Sequence, residues 1–387
     1  MEQQFKAYWF CVFLKAFSGI FLLINYLLGI DILFLFKVPL ILSSLIILFY
    51  HVKKTFFFGF IAALFSAYVF LGTGVAIYYG NSLSTKTLSH LYTIFICMFG
   101  VSFGYYFARY YNKNIDGAVR KYMQLLFFVT IVILLIYYYS YYFTGKIEYF
   151  GFDTELPTSI VFFVGQGQTG LFVITILLIF LSGKRSPLIS VLVISLIFLI
   201  KAVNFKKIKN LIIGLLLLMS ISVAIVVAYN NGLLWRFESV IAVDIEDEDS
   251  FYTATSGRSA EFMGILNHMN ADTKRWYIGS GLGGAYYIDI IRGDYEERYQ
   301  HYTHLSLLSF VFLFGVPFVI LLVGYIFFLV VKNFKYYKNK YYLGMIVTFV
   351  SSLFGAGMFV DSIFWVFLGI NAYMRTASKD SSIICIK

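Results

Sequence analysis

Runs of roughly twenty apolar residues recur along this chain, long enough for each to cross a bilayer as a helix. A water-soluble domain carries about 25% charged residues. This chain of 387 residues carries 13%, against 60% hydrophobic and 21% aromatic, with a mean hydropathy of +0.81. The runs are continuously apolar rather than alternating residue by residue. That pattern selects spanning helices over a barrel, because in lipid a helix satisfies its own backbone groups. The expected fold class is an all-α polytopic membrane protein of about 10–12 transmembrane helices, one integral-membrane domain over 1–387.

Spans are expected at about 7–28, 32–50, 56–79, 88–110 and 122–143. The first reads as a span rather than a cleavable signal, since no small-residue cleavage site follows it. The stretch 158–181 is interrupted by Gly165-Gln166-Gly167-Gln168, which marks a broken or re-entrant helix. Further spans follow to about 200, at 211–229 and at 304–331. The last apolar stretch, 341–374, reads either as a tight hairpin turning near Asp361 or as one long tilted helix.

One polar segment, 230–303, interrupts the apolar pattern. It holds 12 of the 20 acidic residues and only six of the 30 basic ones, so the net charge of +10 resides in short turns and tails at span ends. That distribution is the positive-inside signature rather than a nucleic-acid surface. Lys53/Lys54, 109–121, 201–209 and 332–340 are expected on the cytoplasmic side, and segment 230–303 on the outer side. Counting crossings forward from 109–121 and backward from 201–209 places Arg185 on opposite sides, a conflict the apolar pattern leaves open. The three cysteines (Cys11, Cys97, Cys385) show no disulfide or metal spacing.

Polar residues near apolar spans carry the chemical signal. Arg185 follows Ser182-Gly183-Lys184, and Arg258 follows Ser256-Gly257. Each is a solvated loop cation or an anion ligand, since a guanidinium forks onto phosphate oxygens. The run Gly279-Ser280-Gly281-Leu282-Gly283-Gly284 lacks the lysine and βαβ context of a nucleotide loop. It is a flexible turn, or a place where backbone N–H groups approach a substrate. His304 is a polar helix opener or a general base, because an imidazole accepts a proton near neutral pH. His301 shares its face or is solvated; no third residue completes a metal set. Aromatics such as Trp276, Tyr277, Tyr286 and Tyr287 suit sugar stacking or a membrane interface.

The order and spacing of these pieces resemble the Wzy/WaaL-like superfamily of O-antigen polymerases and ligases, by motif over about 180–325 and by hydropathy over the whole chain. Ser182-Gly183-Lys184-Arg185-Ser186 is similar to that family's S-G-S-R-G element. Ser256-Gly257-Arg258 with Ile278-Gly279-Ser280-Gly281-Leu282-Gly283 is similar to its sGR and G-x-G-x-G arrangement. His304 with Gly315 eleven residues on is similar to its H-N…G element. Leu305 departs from the usual Asn, Lys184 from Ser, Pro187 from a small residue and Glu261 from an aromatic.

The resemblance implies a GT-C-like glycosyltransferase of the bacterial inner membrane, with 230–303 as a large periplasmic loop and Arg185 facing the periplasm. It implies polymerisation of undecaprenyl-pyrophosphate-linked repeat units, without cofactor or metal. His304, Arg258 and Arg185 are its implied catalytic residues, and Gly279, Gly281, Gly283, Tyr286 and His301 line the substrate. Implied partners are lipid-linked donor and acceptor, membrane lipids, a chain-length regulator and a flippase, with no nucleic acid. An O-antigen ligase is an alternative within the family. A polysaccharide flippase is an alternative outside it, disfavoured by the scarcity of mid-span charges and by the one asymmetric polar loop.

Overall fold

The computed structural model describes residues 59–81, 85–111, 114–144, 257–288, 299–301, 303, 305–332, 340–353 and 362–377, with scattered helical positions at 6, 171, 174–176, 212, 219, 222, 223, 226 and 255. The described residues are mostly helical. Arg185, His304, the Gly165–Gln168 interruption, the acidic run 244–249 and the first two expected spans lie outside them.

Helices α1 (Phe60–Tyr78), α2 (Thr85–Tyr111) and α3 (Ile115–Thr144) occupy the third, fourth and fifth expected spans. Among the described residues α1 is the one helix long and apolar enough to cross a membrane. Its 19 residues rise roughly 28 Å at 1.5 Å each, close to the thickness of a hydrocarbon core.

The polar segment is not simply a loop. It contains α4 (Arg258–Asn270), the short α5 (Arg275–Ile278) and a two-rung antiparallel pair, β1 (Tyr286–Tyr287) with β2 (Tyr299–Gln300). Tyr286 faces Gln300 and Tyr287 faces Tyr299.

The expected span 304–331 is broken. Helix α6 (Ser306–Phe314) ends at Gly315, and α7 (Val316–Lys332) starts immediately after. The hydrophobic run gives no hint of this, because both halves are equally apolar. At Gly315 φ is +83°, which only a residue without Cβ adopts freely. Beyond α7, α8 (Lys340–Leu353) and α9 (Ser362–Ala377) settle the final stretch as a hairpin. Asn371, late in α9, donates from Nδ2 to Tyr341 O at the start of α8 (3.1 Å).

Among the described residues, Lys332, Lys340 and Arg375 lie at helix ends away from the polar segment. Lys340 Nζ lies 2.6 Å from Asp116 Oδ2 at the start of α3, and the Tyr341 hydroxyl donates to the same carboxylate. Lys332 and Arg375 both lie over the Phe328 ring, near the Phe60 end of α1, where Phe60 stacks on Tyr325. At the opposite end of α1, Asn81 Nδ2 donates to Ser280 O (2.8 Å). The polar segment thus covers one end of the bundle, with Lys274 and Arg275 over Tyr78 and Tyr79, while Lys332 and Arg375 lie at the other. Between them lies a core dense in aromatics: Phe65 meets Phe310, Phe318 and Trp365 edge-on, with centroids 5.3–5.9 Å apart.

Candidate functional site

Two stretches far apart in sequence meet beside the start of α4. Arg258 is its first residue and is half-buried. One turn on, Glu261 is buried at 1% exposure. The Thr303 hydroxyl donates to Glu261 Oε2 (2.9 Å) and accepts from Leu305 N–H (2.9 Å). Ser309 on α6 closes the turn: its hydroxyl accepts from Thr303 N–H (3.2 Å) and donates to Thr303 O (3.0 Å). The backbone on both sides of position 304 is therefore pinned to α4, one helical turn from Arg258. A buried carboxylate needs such donors. Glu261 thus ties the helix that Arg258 opens to Thr303 and, through it, to Leu305.

The glycine run corrects the expectation that its N–H groups approach a substrate. Each N–H from 279 to 284 is already taken by the protein. Gly279 donates to Arg275 O, Ser280 to Phe312 O (2.7 Å) and Gly281 to Leu313 O (3.1 Å). Leu282 donates to Gly72 O (3.1 Å), Gly283 to His90 Nδ1 (3.2 Å) and Gly284 to Gly281 O (3.3 Å). The bonds to Phe312 and Leu313 satisfy carbonyls at the end of α6, groups that a break within an apolar span would leave unpaired. A Cβ on Gly279 would collide with Leu313 O, and one on Gly315 would lie 2.5 Å from Tyr277 O. The two glycines make the approach possible from both sides. Gly281 is equally confined, 2.5 Å from Ala76 N. The close approach these glycines permit is to the chain's own helices.

Tyr286 departs from its expected role as well. Its ring is 0% exposed and meets Phe312 edge-on at 5.2 Å, leaving no face for a sugar. The exposed aromatics of this hairpin are Tyr287 (36%) and Tyr299 (61%), opposite one another with ring centroids 5.5 Å apart.

Three histidines lie on this scaffold. His301 Nδ1 is 2.9 Å from Gly284 O, and His90 Nε2 is 2.9 Å from His301 O. His268 Nε2 is 2.8 Å from the Ser280 hydroxyl. Burial, reinforced by the Arg275 charge, lowers the pKa of His268 to about 4, so it is neutral at physiological pH. Arg275 donates from Nη1 to His268 O (2.9 Å) and lies 4.8 Å over the Tyr79 ring. Asp272 is held below the usual carboxylate range, first by the hydrogen bond from the Tyr79 hydroxyl (2.7 Å) and then by Lys274 N–H. Among the described residues no group of three or more His, Cys, Asp or Glu side chains is placed to hold a metal ion.

Of the residues singled out from sequence, Arg258, His301 and the glycine run lie at this one end, and Tyr286 lies beneath them. His90, His268 and Thr303 carry no motif in the sequence, and Glu261 and Ser280 stand there only as a departure and as part of the glycine run. His90 had a signal, an imidazole inside a long apolar run, but its partners lie 193 and 211 positions away. No family model, no curated protein and no solved structure matches the chain.

Proposed function

We propose that the protein is a polymerase that joins undecaprenyl-pyrophosphate-linked oligosaccharide repeat units into O-antigen or a related surface polysaccharide. It acts as a polytopic protein of the bacterial inner membrane, with the end built by 257–305 facing the periplasm. The observation that supports the reading is that Thr303, which also accepts from Leu305 N–H, is tied to Glu261, one helical turn from Arg258. It joins two motifs that had only sequence order in common. Segregation of Lys332, Lys340 and Arg375 to the opposite end agrees with the orientation.

In this reading Arg258 and Arg185 hold the pyrophosphate of the donor through charge-assisted hydrogen bonds. The acceptor sugar's hydroxyl oxygen attacks the donor's anomeric carbon from the face opposite the leaving group, inverting the configuration. As the new C–O bond forms, the bond from anomeric carbon to phosphate oxygen breaks, and undecaprenyl pyrophosphate leaves with the electron pair. His304 takes the hydroxyl proton as general base. The reaction oxidises and reduces nothing, so these residues need supply only charge, orientation and a proton acceptor.

The test is replacement of Arg185, Arg258 and His304 by alanine, one at a time, in cells lacking the native gene and at matched protein level. Loss of a catalytic base or of an anion ligand costs roughly 100-fold or more. Each variant should therefore leave lipopolysaccharide capped with a single repeat instead of a ladder. Full-length ladders from all three would sink the assignment. Bare core without any repeat would instead favour a ligase that attaches glycan to lipid A-core.

A further inference from the structure

A cavity of about 210 Å³ opens at the end of the bundle away from the polar segment, between the start of α1, the second half of α7 and the end of α9. Its walls follow from helical spacing. Tyr325 and Leu329 stand four apart on α7, and Ala372, Arg375 and Thr376 share one face of α9. Phe60 stacks on Tyr325 with ring centroids 4.6 Å apart and closes the third side.

Positive charge converges on this cavity. Arg375 lines it, and the guanidinium carbon lies 5.2 Å from the centre of the Phe328 ring. Lys332 Nζ lies 4.8 Å from the centre of the same ring, which is itself 6.3 Å from the ring of Tyr325. Two cations held around one ring raise the local potential, and none of the described lining residues is acidic. Next to the charge runs an apolar track. Leu321, Tyr325, Phe328 and Lys332 recur on α7 at i, i+4, i+7 and i+11, and Leu321 and Phe328 are exposed. The matching ligand therefore has an anion at one end and hydrocarbon at the other. A soluble anion would leave the track unused, and a zwitterionic headgroup would bring its own cation against Arg375 and Lys332. Basic recesses between spanning helices on the cytoplasmic side suit anionic lipid headgroups.

We propose that this cavity binds the phosphate of an anionic phospholipid. The Arg375 guanidinium holds the phosphate oxygens by charge-assisted hydrogen bonds, Lys332 adds a second charge, and an acyl chain lies along the exposed track of α7. The inference rests on the proposed membrane-spanning reading, with this end in the cytoplasmic leaflet, and not on the polymerase chemistry at the other end.

The experiment is native mass spectrometry of the full chain, delipidated in detergent and titrated with phosphatidylglycerol. Phosphatidylcholine with the same acyl chains tests the charge, and excess inorganic phosphate as competitor tests the tail. The first phosphatidylglycerol should bind at least about tenfold tighter than phosphatidylcholine and should survive the phosphate. Arg375→Gln and Lys332→Gln should each weaken it by about fivefold, the weight of one cation near a lipid surface, and Arg375→Lys should recover part of the loss. Ala372→Phe fills the cavity and should abolish the selectivity with both cations in place. Lys121→Gln removes an exposed cation of α3 that does not line the cavity and should change nothing. Each variant is compared as monodisperse protein; if Arg375→Gln is not, Lys332→Gln and Ala372→Phe carry the same test.

Equal binding of the two lipids overturns the inference, as does an unchanged phosphatidylglycerol affinity in either Arg375→Gln or Ala372→Phe. An equal loss in Lys121→Gln overturns it too, and assigns the selectivity to the basic surface at large. Displacement by inorganic phosphate overturns the lipid assignment in favour of a soluble anion. Elongation of lipid-linked repeat units by the same preparations reads the polymerase proposal separately. Selective lipid binding without elongation removes that proposal and leaves the lipid site supported.

Discussion

Gly279 and Gly315 lie close together at φ +75° and +83°; a Cβ on Gly279 would strike the Leu313 carbonyl, and one on Gly315 the Tyr277 carbonyl. Alanine at either position adds a collision with a carbonyl to the cost of a left-handed backbone. Gly80 has φ +68° but open space around it, so Gly80→Ala meets the backbone cost alone. That cost is about 1–2 kcal/mol. Gly279→Ala and Gly315→Ala should exceed it, since overpacking adds about 1–3 kcal/mol more. Melting in detergent followed by size-exclusion chromatography should rank Gly80→Ala nearest the wild type, with the other two lower or absent from the monodisperse peak.

His268 carries a pH dependence of known sign. Its pKa is about 4 when folded, below its ordinary value of 6.5. Between those values the unfolded chain binds more protons, so stability falls as pH drops from about 6.5 towards 4 and levels off below. Melting temperature measured across that window should show this slope, and His268→Gln should flatten it. An unchanged slope in the variant would assign the effect to other groups.

At the scale of elements, the broken helix and the glycine run are one device. Helix α6 ends inside an apolar stretch, and the N–H groups of Ser280 and Gly281 complete its terminal carbonyls. A chain break among apolar side chains persists only where another segment supplies such partners. Helices α2 and α9 show a second close approach. A Cβ on Gly104 would run into Val366 O, and one on Gly369 into Val101 O. Small residues at a helix crossing let backbones pack where lipid offers no hydrophobic gain. Gly104→Val or Gly369→Val should push the two helices apart and lower the yield of folded protein, while Gly74→Ala and Gly324→Ala, with nothing near their Cβ positions, should not. Fluorescence-detected chromatography of tagged variants reads this directly.

For the molecule as a whole, the two ends of α1 differ in character. One abuts the Lys332, Lys340 and Arg375 cluster, and the other the 257–305 unit. Exposed Tyr277, at the second end, is the place to test sidedness. In a background without native cysteines, Tyr277→Cys should react with a membrane-impermeant maleimide in intact spheroplasts. Lys332→Cys should react only after permeabilisation. The reverse pattern would invert the expected topology and remove the proposed periplasmic placement of the site.

Much of this architecture was legible in the sequence because hydropathy is a property each segment has against its solvent. The positions of α1, α2 and α3 follow from apolar runs alone. Hydropathy alone passes over the break, since α6 and α7 are both apolar; Gly315 and Pro317 mark it locally, but the N–H groups that complete the α6 carbonyls come from the distant glycine run. Only tertiary structure decided that those glycines bind the chain's own helices, that Tyr286 lies in the core while Tyr287 and Tyr299 face outward, and that Thr303 is fastened to Glu261, one turn from Arg258. Each of these is a pairing across tens to hundreds of residues, such as the 193 between His90 and Gly283. A hydrogen bond forms where folding brings donor and acceptor together, and no single segment encodes that meeting point.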